Sequence, residues 1–270
     1  MRSRDVSAEL RRLGVRASRG LGQHFLIDER VARRQVERAQ IRPDETVLEV
    51  GPGLGVLTEL LATRAKRVVA IERDRRLADA LQDLGDRVEV VRGDALRTEW
   101  PAFDVMVSNL PYTISSPVTF KLLGHPFDRA VLMFQREFAE RLVARPGTKD
   151  YSRLTVNAAH RAAGEILERV PRSAFHPQPR VDSAVVRLVR RPPAYHVMDE
   201  DTFHAVVDAC FAHRRKTVGN SLAIEWKRFA QDRTSWREIL PALPFQARRP
   251  ESVAPEEFAT LANAVSGAKG

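Results

Sequence analysis

Between residues 45 and 135, short apolar runs alternate with segments of helical period, and no other feature of the chain restricts its fold as much. ETVLEV at 45–50, RVVAIE at 67–72, VEVVR at 88–92, FDVMVS at 103–108 and AVLMFQ at 130–135 read as strands. Residues 54–65, 74–84 and 114–123 between them read as helices. Strands alternating with helices imply right-handed crossovers and a parallel sheet covered on both faces. Residues 165–170 and 184–190 add two more strands, which makes an α/β fold with a seven-stranded, mostly parallel sheet. The proline-rich PRSAFHPQPRVDS joins those last two strands.

The flanks read differently. Residues 1–20, alternating basic and apolar, read as a basic N-terminal arm, either a surface helix or partly ordered, and residues 29–40 as an amphipathic helix carrying Val31, Val36 and Ala39. A helix at 136–144 leads into a loop at 145–151. RPPAY at 191–195 marks a boundary, since consecutive prolines continue neither helix nor strand. Beyond it the pattern is helical, at about 201–212, 215–228 and 255–265. The expected division is a domain at 1–192 and a small all-α domain at 193–270.

With 270 residues, 43% of them hydrophobic, the chain can bury a large core. No apolar run is long enough to span a bilayer. The arginine-rich start contains Asp5 and Glu9, unlike an organelle transit peptide, so a cytoplasmic protein is expected. Cys210 is the only cysteine, which rules out an internal disulfide and a cysteine-rich zinc site; no metal is expected. A net charge of +9 favours a polyanionic partner such as nucleic acid, or else only a solvated basic surface.

Four strand ends carry chemistry. Gly51-Pro52-Gly53-Leu54-Gly55 follows the first strand and opens a helix. Glycines there let the backbone turn sharply and approach a ligand. The spacing is G-x-G-x-G, which departs from the G-x-G-x-x-G of dinucleotide binders; a tight turn without a ligand is the other reading. Glu72 ends the second strand, about 20 residues on, where an acid can accept both ribose hydroxyls of a nucleoside, or simply cap the helix ahead. Asp94 ends the third strand, placed for the exocyclic amine of the cofactor's adenine. A sulfonium cofactor has no phosphate, so acids around it are reasonable. Asn109-Leu110-Pro111-Tyr112 follows the fourth strand. The Asn109 side-chain oxygen and the Leu110 carbonyl form an acceptor pair able to hold both hydrogens of adenine N6 and aim its lone pair. Pro111 fixes the turn, and Tyr112 offers a ring on which the base can stack. An Asn-x-Pro turn with a half-buried tyrosine is the structural alternative.

Taken in order, GQHFLID (22–28), VLEVGPGLGVLT (47–58), AIERD (70–74), GDAL (93–96), NLPYTISSPV (109–118), SAFHPQPRVDSAV (173–185) and FAHRRKTVGNSL (211–222) cover nearly the whole chain. This set resembles the small-subunit ribosomal RNA adenine dimethyltransferase family. The resemblance implies a Rossmann-like class I methyltransferase fold. It places His24, Leu26, Gly51, Gly53, Glu72, Asp94 and Asn109 in an S-adenosylmethionine site. His24 stands where bacterial members commonly have asparagine; both can hydrogen-bond near the methionine moiety. The resemblance also makes Phe175 a second aromatic, sandwiching a flipped adenine against Tyr112, where the residue alone would read as core. It implies N6,N6-dimethylation of two adjacent adenosines in a loop near the 3′ end of small-subunit RNA, within an assembling small subunit. Arg214, Arg215 and Lys216, at the start of a helix, are then RNA-binding residues, which the arginines of the N-terminal arm could extend. A monomer is expected. Two alternatives stay open: a large-subunit RNA adenine methyltransferase of the macrolide-resistance type, and a non-catalytic assembly factor on the same fold. A nicotinamide-dependent oxidoreductase is disfavoured by the glycine spacing.

Overall fold

The structure is a computed structural model that describes residues 3–15 and 23–268. Gly22 and, from the basic arm, Arg2, Arg16, Arg19 and the side chain of Arg4 lie outside the described residues. The chain divides into two compact units: residues up to Ala139 with Gly164–Arg190, and Glu140–Ala163 with the residues from Arg191 onward. The second unit thus takes in a segment, Glu140–Ala163, that the sequence assigns to the first domain. The junction at Arg190–Arg191 falls beside the RPPAY break.

The first unit opens with α1 (Ser3–Arg12), whose Val6 and Leu10 pack with Val15, Phe25 and Leu77. The described part of the arm is therefore fastened to the fold by an apolar face. β1 (Phe25–Leu26) is followed by α2 (Glu29–Ala39), capped by the Asp28 carboxylate, which accepts from the Arg30 N–H. α2 buries Val31, Ala32, Gln35, Val36 and Ala39 on one face, at helical spacing. Then come β2 (Thr46–Val50), α3 (Val56–Ala62), β3 (Arg67–Glu72), α4 (Arg75–Ala80), β4 (Val88–Arg92), β5 (Val105–Asn109), α5 (Ser115–Gly124) and β6 (Arg129–Gln135). α6 (Arg136–Leu142) and α7 (Arg153–Arg161) precede β7 (Ala162–Val170), β8 (Phe175–His176) and β9 (Ser183–Arg190).

All seven strands read from the sequence form one sheet, in the order β4-β3-β2-β5-β6-β9-β7. β4, β3, β2, β5 and β6 are parallel neighbours, and β9 runs antiparallel to β6. The apolar side chains of β2, β3, β5 and β6 are almost wholly buried, Val47, Leu48, Val68, Val69, Val105 and Val131 among them, as the centre of a sheet covered on both faces requires. Chain order reverses between β2 and β5, the place where ligands bind in open α/β sheets. There the two strands part. Only Val47–Val105 and Leu48–Met106 are in register, against five pairs between β2 and β3. Beyond them the Val50 N–H donates to the Ser108 hydroxyl at 2.8 Å, so a side chain replaces the ladder.

Two short elements were not legible. β1 and β8 pair antiparallel, Phe25 with His176 and Leu26 with Phe175, which ties the GQHFL and SAFHP segments together. α7 buries the polar Thr155, Asn157 and His160 along with Leu154, Val156 and Ala158, so its buried face does not read as an apolar stripe.

In the second unit, α8 (Glu200–Ala212), α9 (Val218–Ile224), α10 (Arg233–Ile239) and α11 (Pro255–Gly267) enclose a core of Phe203, Val207, Cys210, Leu222, Trp236 and Phe258. Asp199, Thr217 and Asp232 cap the first three. The expected helix at 215–228 is corrected to 218–224. Thr217 is a favoured N-cap, whereas cations in the first turn oppose the helix dipole. Arg214, Arg215 and Lys216 therefore lie in the turn between α8 and α9 and do not open a helix. α10 went unread because only Trp236 on it is buried.

Candidate active site

The four strand ends converge on one cavity of about 330 Å³. Its wall includes Gly51 and Gly53 after β2, Glu72 closing β3, Asp94 after β4, and Asn109, Leu110, Pro111 and Tyr112 closing β5. His24 and Leu26 around β1 and Phe175 of β8 complete it. The structure thus brings every cofactor and catalytic residue read from the sequence to a single wall.

The glycine loop needs its glycines. Gly51, Gly53 and Gly55 have φ of 72°, 60° and 81°, a region that side chains disfavour. A Cβ on Gly53 would come within 3.2 Å of the Phe25 ring, and one on Gly55 within 2.8 Å of Leu81. Glu72 braces this loop: its carboxylate accepts from the Gly53 N–H at 3.2 Å and the Asp74 N–H at 2.8 Å. Burial raises the Glu72 pKa, and those backbone donors oppose the rise. Asp94 accepts from the Leu96 N–H at 3.0 Å and lies 3.9 Å from the Arg73 guanidinium. Lys121 holds the same turn, donating to the carbonyls of Ala95 at 2.9 Å and Thr98 at 2.6 Å.

Glu49, just ahead of the glycine loop, is a further site residue that the sequence reading does not include. It lines the cavity, is fully buried, and its pKa is pushed up to about 8 by burial, with the Glu72 charge adding to the rise. The position of an acid just ahead of a glycine loop was the available signal.

Asn109 ends β5 with its Oδ1 buried and, among the described residues, without a hydrogen-bond partner. Buried acceptors are nearly always paired, so an unpaired one on a residue that lines a cavity marks a place for a donor from a ligand. Leu110 is buried, and Pro111 (φ −54°, ψ 127°) turns the chain into a short helical turn at Tyr112–Ile114. The Tyr112 hydroxyl lies 2.6 Å from the Ser183 hydroxyl at the head of β9, which fixes the ring. Ser183 was unsignalled, because its partner is 71 residues away in sequence. The His24 ring lies 5.4 Å from the Tyr112 ring, tilted by 33°. Its Nδ1 is 2.7 Å from the Pro177 carbonyl and must donate there, which leaves Nε2 on the other side of the ring. Phe175 is buried against Leu26, Val185 and Met133 and also lines the cavity, so the core reading and the site reading both apply.

The residues present fit S-adenosylmethionine. Four carboxyls, Glu49, Glu72, Asp74 and Asp94, line the cavity with one arginine, Arg73; with Glu49 kept largely protonated by its raised pKa, the acids still outnumber the cation. That balance suits a cationic sulfonium with an ammonium group and does not suit a pyrophosphate. The unpaired Asn109 Oδ1 and the narrow glycine loop are open positions for an amine and a close-approaching ligand. Among the described residues no cluster of His, Cys, Asp or Glu could hold a metal ion, and no helix is long and apolar enough to cross a membrane. Arg214, Arg215 and Lys216 are not part of this wall. Arg214 is used internally, pairing with Glu251 at 3.3 Å and donating to the Lys149 carbonyl; Arg215 and Lys216 are exposed.

The strand order, the parted β2–β5 pair and this acidic, glycine-lined cavity define a Rossmann-like class I methyltransferase whose cofactor is S-adenosylmethionine. More narrowly, the chain belongs to the ribosomal RNA adenine dimethylase family, whose model matches residues 14–257. It is 46% identical over 245 residues to a probable ribosomal RNA small subunit methyltransferase A of Thermococcus gammatolerans, covering 90% of this chain and 87% of the relative. It is also 46% identical to the protein of the same name from Methanopyrus kandleri, over the whole of both chains. Among solved structures, a dimethyladenosine transferase from Plasmodium falciparum superposes with a TM-score of 0.79 at 30% identity, covering 91% of this chain and 98% of that one. The 23S rRNA methyltransferase ErmE superposes with a TM-score of 0.67 at 33% identity, covering 90% and 99%.

Proposed function

We propose that the chain dimethylates N6 of two adjacent adenosines near the 3′ end of small-subunit ribosomal RNA, in the assembling small subunit, as a cytoplasmic monomer. The observation that carries the reading is the unpaired, buried Oδ1 of Asn109 at the head of the Asn-Leu-Pro-Tyr turn, a residue that lines one cavity with Glu72 and Asp94. S-adenosylmethionine supplies a methyl group made electrophilic by its positive sulfur. Asn109 Oδ1 and the Leu110 carbonyl accept the two N6 hydrogens, drawing the amine out of conjugation and aiming its lone pair. Tyr112, held by Ser183, and Phe175 flank the base. The N6 lone pair so aimed would form the N–C bond, the C–S bonding pair would stay on the sulfur that leaves as a neutral thioether, and the resulting N6 ammonium would release its proton to water. After rotation of the monomethylated amine, the same acceptors would hold its one remaining hydrogen and align it for a second transfer. The residues act by proximity and alignment, and no strong base is needed. Glu72 holds the ribose hydroxyls and Asp94 the adenine amine of the cofactor.

Incubation with S-adenosylmethionine and under-methylated small subunits, followed by mass spectrometry of RNA fragments, tests this. Dimethyladenosine at two adjacent 3′-terminal positions is expected. Modification confined to large-subunit RNA would move the chain to the macrolide-resistance type of activity. No modification at all would leave an assembly factor that does not methylate.

A further inference from the structure

The second unit carries a different cavity, of about 560 Å³, lined by Lys216, Asn220, Ala223, Ile224, Trp226 and Arg233. α9 buries Val218, Gly219, Ser221 and Leu222 and leaves the other residues of its turns outward. Ile224 is 51% exposed, one of few large apolar side chains so placed. Trp226, just after α9, packs against the core of this unit while lining the cavity. The other two tryptophans are buried, Trp236 with its indole N–H on the Leu222 carbonyl and Trp100 on the Ala95 carbonyl.

The charges around Trp226 are one-sided. No carboxylate among the described residues pairs with Lys216, Lys227 or Arg233. Glu225, the nearest acid in sequence, is already bonded to Arg228 at 2.7 Å and His213 at 3.0 Å. Asp232 spends its oxygens capping α10, on the Thr234 and Ser235 N–H groups and the Ser235 hydroxyl. The Lys227 ammonium stands 5.9 Å from the Trp226 ring centre, at the outer limit of a cation–π contact, on an exposed, movable side chain.

We infer that this cavity seats an unpaired nucleotide of RNA, its base stacked on Trp226, its edge read by Asn220 and its flanking phosphates met by Lys216 and Arg233. An indole face beside unpaired cations is what single-strand binding uses, because every base has a π-face and every linkage a charge. The Asn220 amide can both donate and accept, as a base edge requires. An acidic peptide would satisfy the cations and leave the indole and Ile224 without a partner. The inference rests on the proposed RNA substrate and extends it to a second contact, outside the reaction cavity.

The test uses the intact protein and a short single-stranded RNA. Since Trp226 is the tryptophan left accessible, the RNA should quench intrinsic fluorescence and shield it from acrylamide. Trp226→Leu should abolish both effects and weaken binding about 5- to 100-fold, the range for one stacked base. The Lys216→Ala/Arg233→Ala double variant changes only exposed side chains and leaves the fold intact. It should lower the slope of log affinity against log salt by about 1.4, at about 0.7 for each single-strand phosphate, with S-adenosylmethionine binding unchanged. An unaltered salt slope in the double variant overturns the site even if Trp226→Leu misfolds. Competition by polyglutamate as effective as that by RNA also overturns it, in favour of an acidic protein partner. Methyl transfer by the unmutated protein is scored alongside: normal methylation with RNA binding insensitive to these changes defeats this inference alone. Absent methylation with intact quenching defeats the proposed activity and leaves the RNA site standing.

Discussion

The cavity at the strand ends and the surface around Trp226 obtain their chemistry in opposite ways. At the strand ends the functional groups are few, buried and held: Glu72 by two backbone N–H groups, Tyr112 by Ser183, Asn109 by the close of a strand. Around Trp226 they are exposed side chains without ion-pair partners among the described residues, on a turn, the outer face of α9 and the first residue of α10. Desolvation makes each lost contact costly in the first region, while solvent and salt divide the effect among many contacts in the second. The two regions should therefore differ in how much one substitution matters and in how far salt changes the answer.

The largest effect belongs to Asn109→Ala. Methyl transfer should fall about 100-fold or more, the usual consequence of losing alignment at a reacting atom. Cofactor affinity should fall by no more than one hydrogen bond, about 1 kcal/mol. Single-turnover methylation beside calorimetry checks both, and near-normal turnover would break the comparison at its strongest point. Next, Glu72→Ala should weaken S-adenosylmethionine binding by about 1.5–3 kcal/mol, the scale of a hydrogen bond to a charged group. Since Glu72 also braces the Gly53 and Asp74 N–H groups, Glu72→Gln should recover part of the loss. Equal losses in the two variants would show that charge, and not loop geometry, dominates.

Glu49 supplies a test through pH. Its pKa is raised by burial to about 8, well above the ordinary value of 4.5. A carboxyl raised in this way stabilises the fold fully below its unfolded value, and that contribution is lost as pH climbs through the folded one. The chain without cofactor should thus lose stability between roughly pH 4.5 and 8, at no more than about 1.4 kcal/mol per pH unit for this one proton. Glu49→Gln should flatten that decline in a denaturant series taken across the window. Glu72 is shifted in the same direction, so a smaller slope should remain. An undiminished slope in Glu49→Gln would place the titrating group elsewhere.

Legibility followed the same division. The central strands were readable because burial on both faces demands runs such as Val-Leu-Glu-Val and Val-Val-Ala-Ile, and the cavity because glycine turns and strand-end acids are local signals. What escaped depends on partners distant in sequence. β1 and β8 are two residues each and exist only by pairing with one another. Ser183 matters through Tyr112, and nothing in the residues around it says so. The assignment of Glu140–Ala163 to the second unit reflects tertiary contacts, which the RPPAY break could not report. In the helical unit, Thr217 was a readable cap that the run of cations before it obscured.

The smallest expected effect separates two neighbouring arginines. A bare run of three cations suggests three equivalent phosphate contacts. The structure divides them: Arg214 pairs with Glu251 and the Lys149 carbonyl, while Arg215 is exposed and makes no ion pair among the described residues. An arginine already committed inside its own unit contributes to the fold, whereas a solvated one is available to a polyanion. Arg215→Ala should therefore reduce the salt slope of small-subunit binding by about 0.7–0.9, the signature of one phosphate contact. Its thermal stability should be unchanged, as for other exposed sites. Arg214→Ala should do the reverse, costing up to about 1 kcal/mol in unfolding, as expected of a half-exposed ion pair, with little change in the salt slope. Salt titrations of binding and denaturant unfolding on the two single variants are enough. Equal salt slopes for both would mean that Arg214 leaves Glu251 when RNA arrives, and the run would again act as three contacts.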